Sequence, residues 1–312
     1  MEIHNSRWSF TLTVIIGLLA VSTASIFIRF AQQEAPSIVI AALRMVVSTF
    51  VLLPLALKNY YQELFSISKK QFLLIILSGL FLALHFATWI SSLAYTSIAS
   101  SVVLVSTGPI WVAIFSKLWL REKQNNSIFL GIFLSFIGLI LIALNDSCIK
   151  LGNLSCFVDI SNLDHSSLLG DILAFIGALM VAGYFLIGRS LRQSISLIPY
   201  IFLVYGISAI FLFIFLFLSG KPILGYSNET YLWIILLALI PQTIGHSIYN
   251  WALKHISATI VSIFTLGEPI GTTILAIFVF KEYPGYIKLL GILLILGGIY
   301  IILRLNGKNG SN

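Results

Sequence analysis

The sequence predicts an all-α integral membrane protein whose ten transmembrane helices form two inverted five-helix repeats. Three observations lead to that fold. Of 312 residues, 59% are hydrophobic and only 9% are charged, whereas a soluble domain carries about a quarter charged residues. The apolar residues fall into ten runs, each near the roughly 20 residues that a bilayer-spanning helix needs. The second half of the chain also repeats the first at a constant offset of 160 residues.

In chain order the spans are expected at residues 9–30, 37–57, 71–94, 97–119, 127–145, 169–190, 197–218, 231–253, 257–280 and 284–304. Each is read as a helix, because an isolated strand would leave its backbone unsatisfied in lipid. The first run has a signal-peptide flavour, with a short basic lead and small residues from Ala20 to Ala24. It stays apolar to Ile28, however, which suits a span better than a cleaved leader. The connectors are short except for a polar stretch from Asp146 to Leu168. That stretch divides the chain into a first repeat (1–146), an external polar loop (147–168) and a second repeat (169–312).

The offset pairs Pro109 with Pro269, Glu122 with Glu282, Gly131 with Gly291, Gly138 with Gly298, Gly17 with Gly177 and Arg29 with Arg189. Leucine and isoleucine coincidences mean little in such a composition, but shared proline, glutamate and glycine do. Five spans per copy is an odd number, so the second copy enters the membrane upside down. Lys and Arg agree: with the N-terminus inside, the internal segments hold Arg7, Lys58, Lys69, Lys70, Arg121, Lys123, Arg192, Lys254, Arg304 and Lys308, and the external ones keep Lys150, Lys221, Lys281 and Lys288. Cytoplasmic loops carry that excess, so both termini are expected in the cytoplasm of a multi-pass protein in the plasma (bacterial inner) membrane. The net charge of +7 follows the same rule. No dense basic run exists, so no nucleic-acid partner is expected. Inverted repeats are a recurrent transporter design, since two copies can exchange conformations and give alternating access.

The early second-helix Arg44, the run LVSTGPIWVAIFSKLWLREK and its second-half partner FTLGEPIGTTILAIFVFKE resemble the EamA family of the drug/metabolite transporter superfamily, over about residues 9–304. The resemblance implies ten helices, with helices 1–4 and 6–9 around a central cavity and helices 5 and 10 peripheral. It implies a cargo of amino acids, other small metabolites or drugs. The chain departs from the pattern in its longer loop after helix 5, which bears both cysteines, Cys148 and Cys156. These are either bonded, if the loop faces an oxidising compartment, or two free thiols.

A polar group inside a span is a site hypothesis, because a central charge costs ~2.5–3.5 kcal/mol on insertion scales. In helix 3, Ser78, Phe81, His85, Thr88, Trp89 and Ser92 follow three- and four-residue steps. In helix 8, Gln242, His246, Tyr249, Asn250 and Leu253 do the same, and the offset aligns Trp89 with Tyr249. Cavity lining competes here with hydrogen bonding between packed helices. In helix 9, Thr265, Glu268, Gly271 and Thr272 share a small polar face. Pro269 removes a backbone donor and frees the Thr265 carbonyl, and Pro109 does the same in helix 4, so paired bends are expected. They serve either as hinges or as static kinks. Glu268 aligns with Gly108 and Arg44 with Val204, so neither charge is duplicated. The two either form a fixed bridge or serve the solute.

Among the remaining charges, Asp171 is read as opening helix 6, where an acid suits the helix dipole. Lys117, Glu122 and Glu282 lie near span ends and can snorkel, and Glu122 and Glu282 are read as boundary residues that fix helix ends and topology. Gly131, Gly138, Gly291, Gly297 and Gly298 give helices 5 and 10 small faces. These bind either another helix of the same chain or a second subunit, as a homodimer through helices 5 and 10. Asn153 and Asn228 begin glycosylation tripeptides in external loops, which matter only in a eukaryote.

The expected function is therefore a secondary transporter that moves a small organic metabolite by alternating access. Substrate contacts are expected from Arg44, His85, Trp89, His246, Tyr249, Asn250, Trp251 and Glu268, with hinges at Pro109 and Pro269. Arg44 would hold a carboxylate and Glu268 an ammonium, which points to an amino acid or other zwitterion. An exporter of cationic drugs is the rival within transport. A passive channel and an intramembrane lipid-modifying enzyme are the rivals from other classes. The sequence holds no His-rich or Asp-rich metal cluster, serine elbow or Walker motif, and no catalytic residue, cofactor or metal is expected.

Overall fold

The structure, a computed structural model, describes residues 2–96, 98–122, 126–149, 165–281 and 284–309. The expectations for the cysteine pair, Asn153 and Glu282 fall outside the residues whose side chains are described. All regular structure among the described residues is helical. Eight helices are long and apolar enough to cross a membrane, and two shorter apolar stretches lie at Asn126–Ile142 and Tyr286–Ile302. Large apolar side chains such as Leu12, Phe50, Phe133, Phe217, Phe278 and Leu293 face outward, as lipid contact requires. The chain is a multi-pass membrane protein.

The ten spans, numbered here in chain order, are not ten plain helices. Span 1 is Glu2–Ser22 followed by Ala24–Ala31; spans 2 and 3 are Ser37–Ser66 and Lys69–Tyr95. Span 4 breaks between Ile98–Val105 and Gly108–Phe115, then ends in a wider π turn, Ser116–Leu120. Span 5 is Asn126–Ile149, span 6 His165–Leu191 and span 7 Leu197–Ser219. Span 8 runs Asn228–Leu237, then π-helical Ala238–His246 around Pro241, then Ser247–His255. Span 9 breaks at the 3₁₀ turn Thr265–Gly267, between Ala258–Phe264 and Glu268–Phe280, and span 10 is Tyr286–Asn309.

The breaks in spans 4 and 9 come at equivalent places, just before Pro109 and Pro269. A proline cannot donate to the carbonyl four residues back, and both helices restart at the residue preceding their proline. Several helices also overrun their apolar core. Span 2 continues to Ser66, with non-helical φ/ψ at Tyr60. Span 6 begins at His165, so Asp171 lies inside the helix instead of opening it, and it accepts a 2.7 Å hydrogen bond from the Thr96 hydroxyl.

Packing shows the inversion directly. Gly131 of span 5 lies against Gly298 and Ile302 of span 10, and Gly138 lies against Gly291 and Ile295. Numbers rise along one helix as they fall along the other, so the equivalent fifth helices of the two repeats run antiparallel. Their glycine faces are used on each other, within one chain. Across the same pseudo-twofold axis span 3 packs on span 6, span 1 on span 8 and span 2 on span 7. Matching turns obey the symmetry as well. Gln32 Nε2 donates to the Ile90 carbonyl at 3.2 Å, and its repeat partner Arg192 donates through Nε to the Asn250 carbonyl at 3.0 Å.

Candidate functional site

A cavity lies on that axis. It holds about 650 Å³ of atom-free space, including its open mouth, and draws its walls from spans 1, 2, 3, 4, 6, 8 and 9. Among the described residues none of spans 5, 7 and 10 lines it, so the expected inner ring loses span 7.

Six of the eight expected contact residues meet there: Arg44, His85, Trp89, His246, Tyr249 and Glu268, together with Pro109. Arg44 is fully buried, with its guanidinium 4.0 Å above the Phe86 ring. Its Nη2 donates to Gln242 Oε1 at 2.6 Å, while Nε and Nη1 have no partner among the described residues. The π segment of span 8 carries Gln242 and His246 toward this point. Within it the Ala238 carbonyl accepts from the hydroxyl of Ser48, one turn beyond Arg44, at 2.9 Å and from that of Thr243 at 2.8 Å. A π segment adds a residue to the turn and is common at functional sites.

Glu268 accepts from the Tyr249 hydroxyl at 3.4 Å. Of the two readings of Arg44 and Glu268, the fixed bridge is not formed; an ion pair joins Arg189 to Glu122 instead, at 3.4 Å. His85 Nδ1 lies 2.9 Å from the Gly177 carbonyl. A carbonyl only accepts, so Nδ1 is the donor in this bond. The His85 ring stacks on Trp89 at 5.8 Å, and His246 stands edge-on to Phe86 at 5.4 Å. His246 Nδ1 and Trp89 Nε1 are also without partners among the described residues.

Asn250 and Trp251 stand elsewhere. Asn250 is buried behind the cavity wall and donates to the Tyr184 hydroxyl at 2.5 Å and the His246 carbonyl at 2.6 Å. Trp251 packs against Phe10 and His255. Of the span 3 stripe, Ser78 bonds Tyr200 and Ser92 bonds Ser101. Pro269 is not part of the lining, and Gly271 and Thr272 pack on Ser22 of span 1. The sequence reading missed Val21, Ala24, Val105, Val181, Phe185 and Ser262. The repeat held a signal for three of them: Val21 and Val181 are partners at the 160-residue offset, as are Val105/Thr265, Trp89/Tyr249 and Gly108/Glu268, and all eight line the cavity.

At the membrane end of span 4, Glu122 pairs with Arg189 and accepts the Ala258 N–H that opens span 9, at 3.4 Å. Burial raises its pKa, against the opposing effects of Arg189 and that N–H. It ties three spans together, a fuller role than a simple boundary residue. No group of three or more His, Cys, Asp or Glu that could hold a metal occurs among the described residues.

Residues 8–144 and again residues 168–304 match the EamA-like transporter family. The chain belongs to that family. Among its curated relatives, an uncharacterized transporter of Archaeoglobus fulgidus is 23% identical over 72% of this chain and 73% of its own. The uncharacterized transporter YetK of Bacillus subtilis is 24% identical over 93% of this chain and 82% of its own. A solved crystal structure, 16% identical, superposes on this EamA-like fold with a TM-score of 0.77 over 97% of this chain and 99% of the other. At that identity the likeness speaks for the fold alone.

Proposed function

We propose that the protein carries a small zwitterion, such as an amino acid, across the membrane by alternating access. The observation that supports this reading most is that Arg44 and Glu268, opposite charges on facing repeats, line one cavity without pairing with each other. A charge inside a span is costly unless something answers it, and a solute bearing a carboxylate and an ammonium would answer both. Trp89, Phe185 and Tyr249 offer it apolar contact, while His85 and His246 offer hydrogen bonds. The breaks before Pro109 and Pro269 would be the hinges on which the repeats rock.

The test is flux into proteoliposomes. Uptake of neutral amino acids should saturate and show counterflow, and it should fall in Glu268→Gln. Saturable uptake of lipophilic cations, with none of zwitterions, would favour the second reading, a cationic-drug exporter that uses Glu268 among the aromatic walls. Flux without saturation or counterflow would favour a channel. The Lys and Arg distribution supports a plasma-membrane protein (the inner membrane, in a bacterium) with both termini cytoplasmic; reporter domains fused to the C-terminus would check the side.

A further inference from the structure

Behind the cavity, toward the 192–196 turn, lies a cluster that the transport reading has not used: Tyr184, Tyr200, Tyr205, Ser247 and Asn250, with Ser208 three residues beyond Tyr205 on span 7, all buried. It starts at Gln242, whose side chain holds Arg44 and whose carbonyl accepts from the Tyr205 hydroxyl at 3.4 Å. Tyr205 also lies 3.4 Å from Ser247 Oγ, Asn250 reaches Tyr184, and Tyr200 meets Ser78 at 2.9 Å. Gly188 is packed closely against the cluster, where a Cβ would stand 2.9 Å from Leu253 Cδ1, 3.0 Å from the Tyr200 hydroxyl and 3.7 Å from Asn250 Oδ1, so a side chain there would press on these polar atoms. The cluster ends at Arg192, which donates to the Asn250 and Ile195 carbonyls.

Two features set it apart from ordinary packing. Asn250 Oδ1 and Ser208 Oγ have no partner among the described residues, although buried polar atoms are nearly always paired with protein or water. The fold itself does not require polarity here. The repeat partners of the six are Ala24, Ile40, Met45, Ser48, Ala87 and Ile90, so the mirror flank closes with one hydroxyl where this flank has six polar groups.

We propose that this cluster is a second polar site on the solute's path. It is a passage that holds water and the uncharged hydrogen-bonding groups of the solute, joins the cavity to the face bearing the 192–196 turn, and is latched in this conformation by Arg192. The inference rests on the transport reading, and its test needs no solute. In full-length protein with Cys148→Ser and Cys156→Ser, single cysteines are placed at Ser208 and Ser247 in the cluster, at Met45 in the mirror flank and at Ser106 in the cavity. Each variant is treated with 2-aminoethyl methanethiosulfonate in proteoliposomes and in detergent. Ser208→Cys and Ser247→Cys should react about tenfold or more faster than Met45→Cys, since local opening governs access to buried groups. Adding Arg192→Gln should speed Ser208→Cys further. Reaction at Ser106→Cys, with Ser208→Cys and Ser247→Cys as slow as Met45→Cys, would overturn the passage and leave the cavity and the transport reading standing. An unchanged rate on adding Arg192→Gln would overturn the latch.

Discussion

The Tyr249 hydroxyl donates to the Glu268 carboxylate at 3.4 Å, and the repeat partners of these two residues, Trp89 and Gly108, line the same cavity. The acid thus stands where the fold's symmetry supplies no second charge, held by a neighbour from span 8 instead of by the arginine of span 2.

Glu268→Gln should weaken binding of a zwitterion roughly 10- to 100-fold, as expected from ~1.5–3 kcal/mol for a hydrogen bond to a charged group. Tyr249→Phe keeps the charge and removes one donor, so its effect should be smaller. Equilibrium binding to purified protein ranks the two; a larger loss in Tyr249→Phe would contradict the ordering.

Gln242→Leu removes the partner of a fully buried guanidinium. It should lower stability by about 1.5–3 kcal/mol, read as a lower midpoint of thermal unfolding in detergent. Gln242→Glu, which keeps an acceptor, should recover most of that loss.

At Gly138 a side chain would meet the Gly291 carbonyl and come within 2.9 Å of Ile295. Gly138→Val should therefore destabilise the packing of spans 5 and 10 by about 1–3 kcal/mol, the usual cost of overpacking. Gly297, which has open space around it, is the control: Gly297→Ala should leave the midpoint unchanged.

Glu34, in the turn between spans 1 and 2, accepts from the Ser227 N–H and the Thr230 hydroxyl, each at 2.8 Å. These bonds hold its carboxyl below the ordinary value of 4.5. A depressed carboxylate contributes stability that is complete above its unfolded value and lost as pH falls through the folded one. Thermal midpoints should thus drop more steeply below pH 4.5 in the unaltered protein than in Glu34→Gln.

Pro109→Ala and Pro269→Ala restore a backbone donor at the break in each span. If the breaks are hinges, flux falls while solute affinity stays the same. Flux and affinity that both match the unaltered protein would mark the breaks as static.

The repeat, the ten spans and both proline breaks were legible because each leaves a mark that composition cannot produce by chance. Pro109 and Pro269 at one offset carry a backbone consequence that no neighbour can undo. The partner of Arg44 was less legible. Glu268 is the obvious counter-charge in one dimension, but the π segment over Ala238–His246 re-aims Gln242 at the guanidinium. Pro241 was its only advance sign. Asn250 sits at the edge of the helical stripe through His246 and Tyr249, where a regular period does not tell a cavity wall from the layer behind it. Val21 and Val181 were invisible as single valines, and only their pairing across the repeat distinguishes them.

The interlocked halves also bear on biogenesis. When the first five spans have left the ribosome, the faces of spans 1, 3 and 5 that will meet spans 8, 6 and 10 have no cover, and Gly131 and Gly138 open onto lipid. At about 5–20 residues per second, synthesis of the remaining half takes on the order of ten seconds. For that interval the half-made protein carries uncovered helix faces, the condition under which misassembly competes with folding, and a pause in translation there would lengthen it.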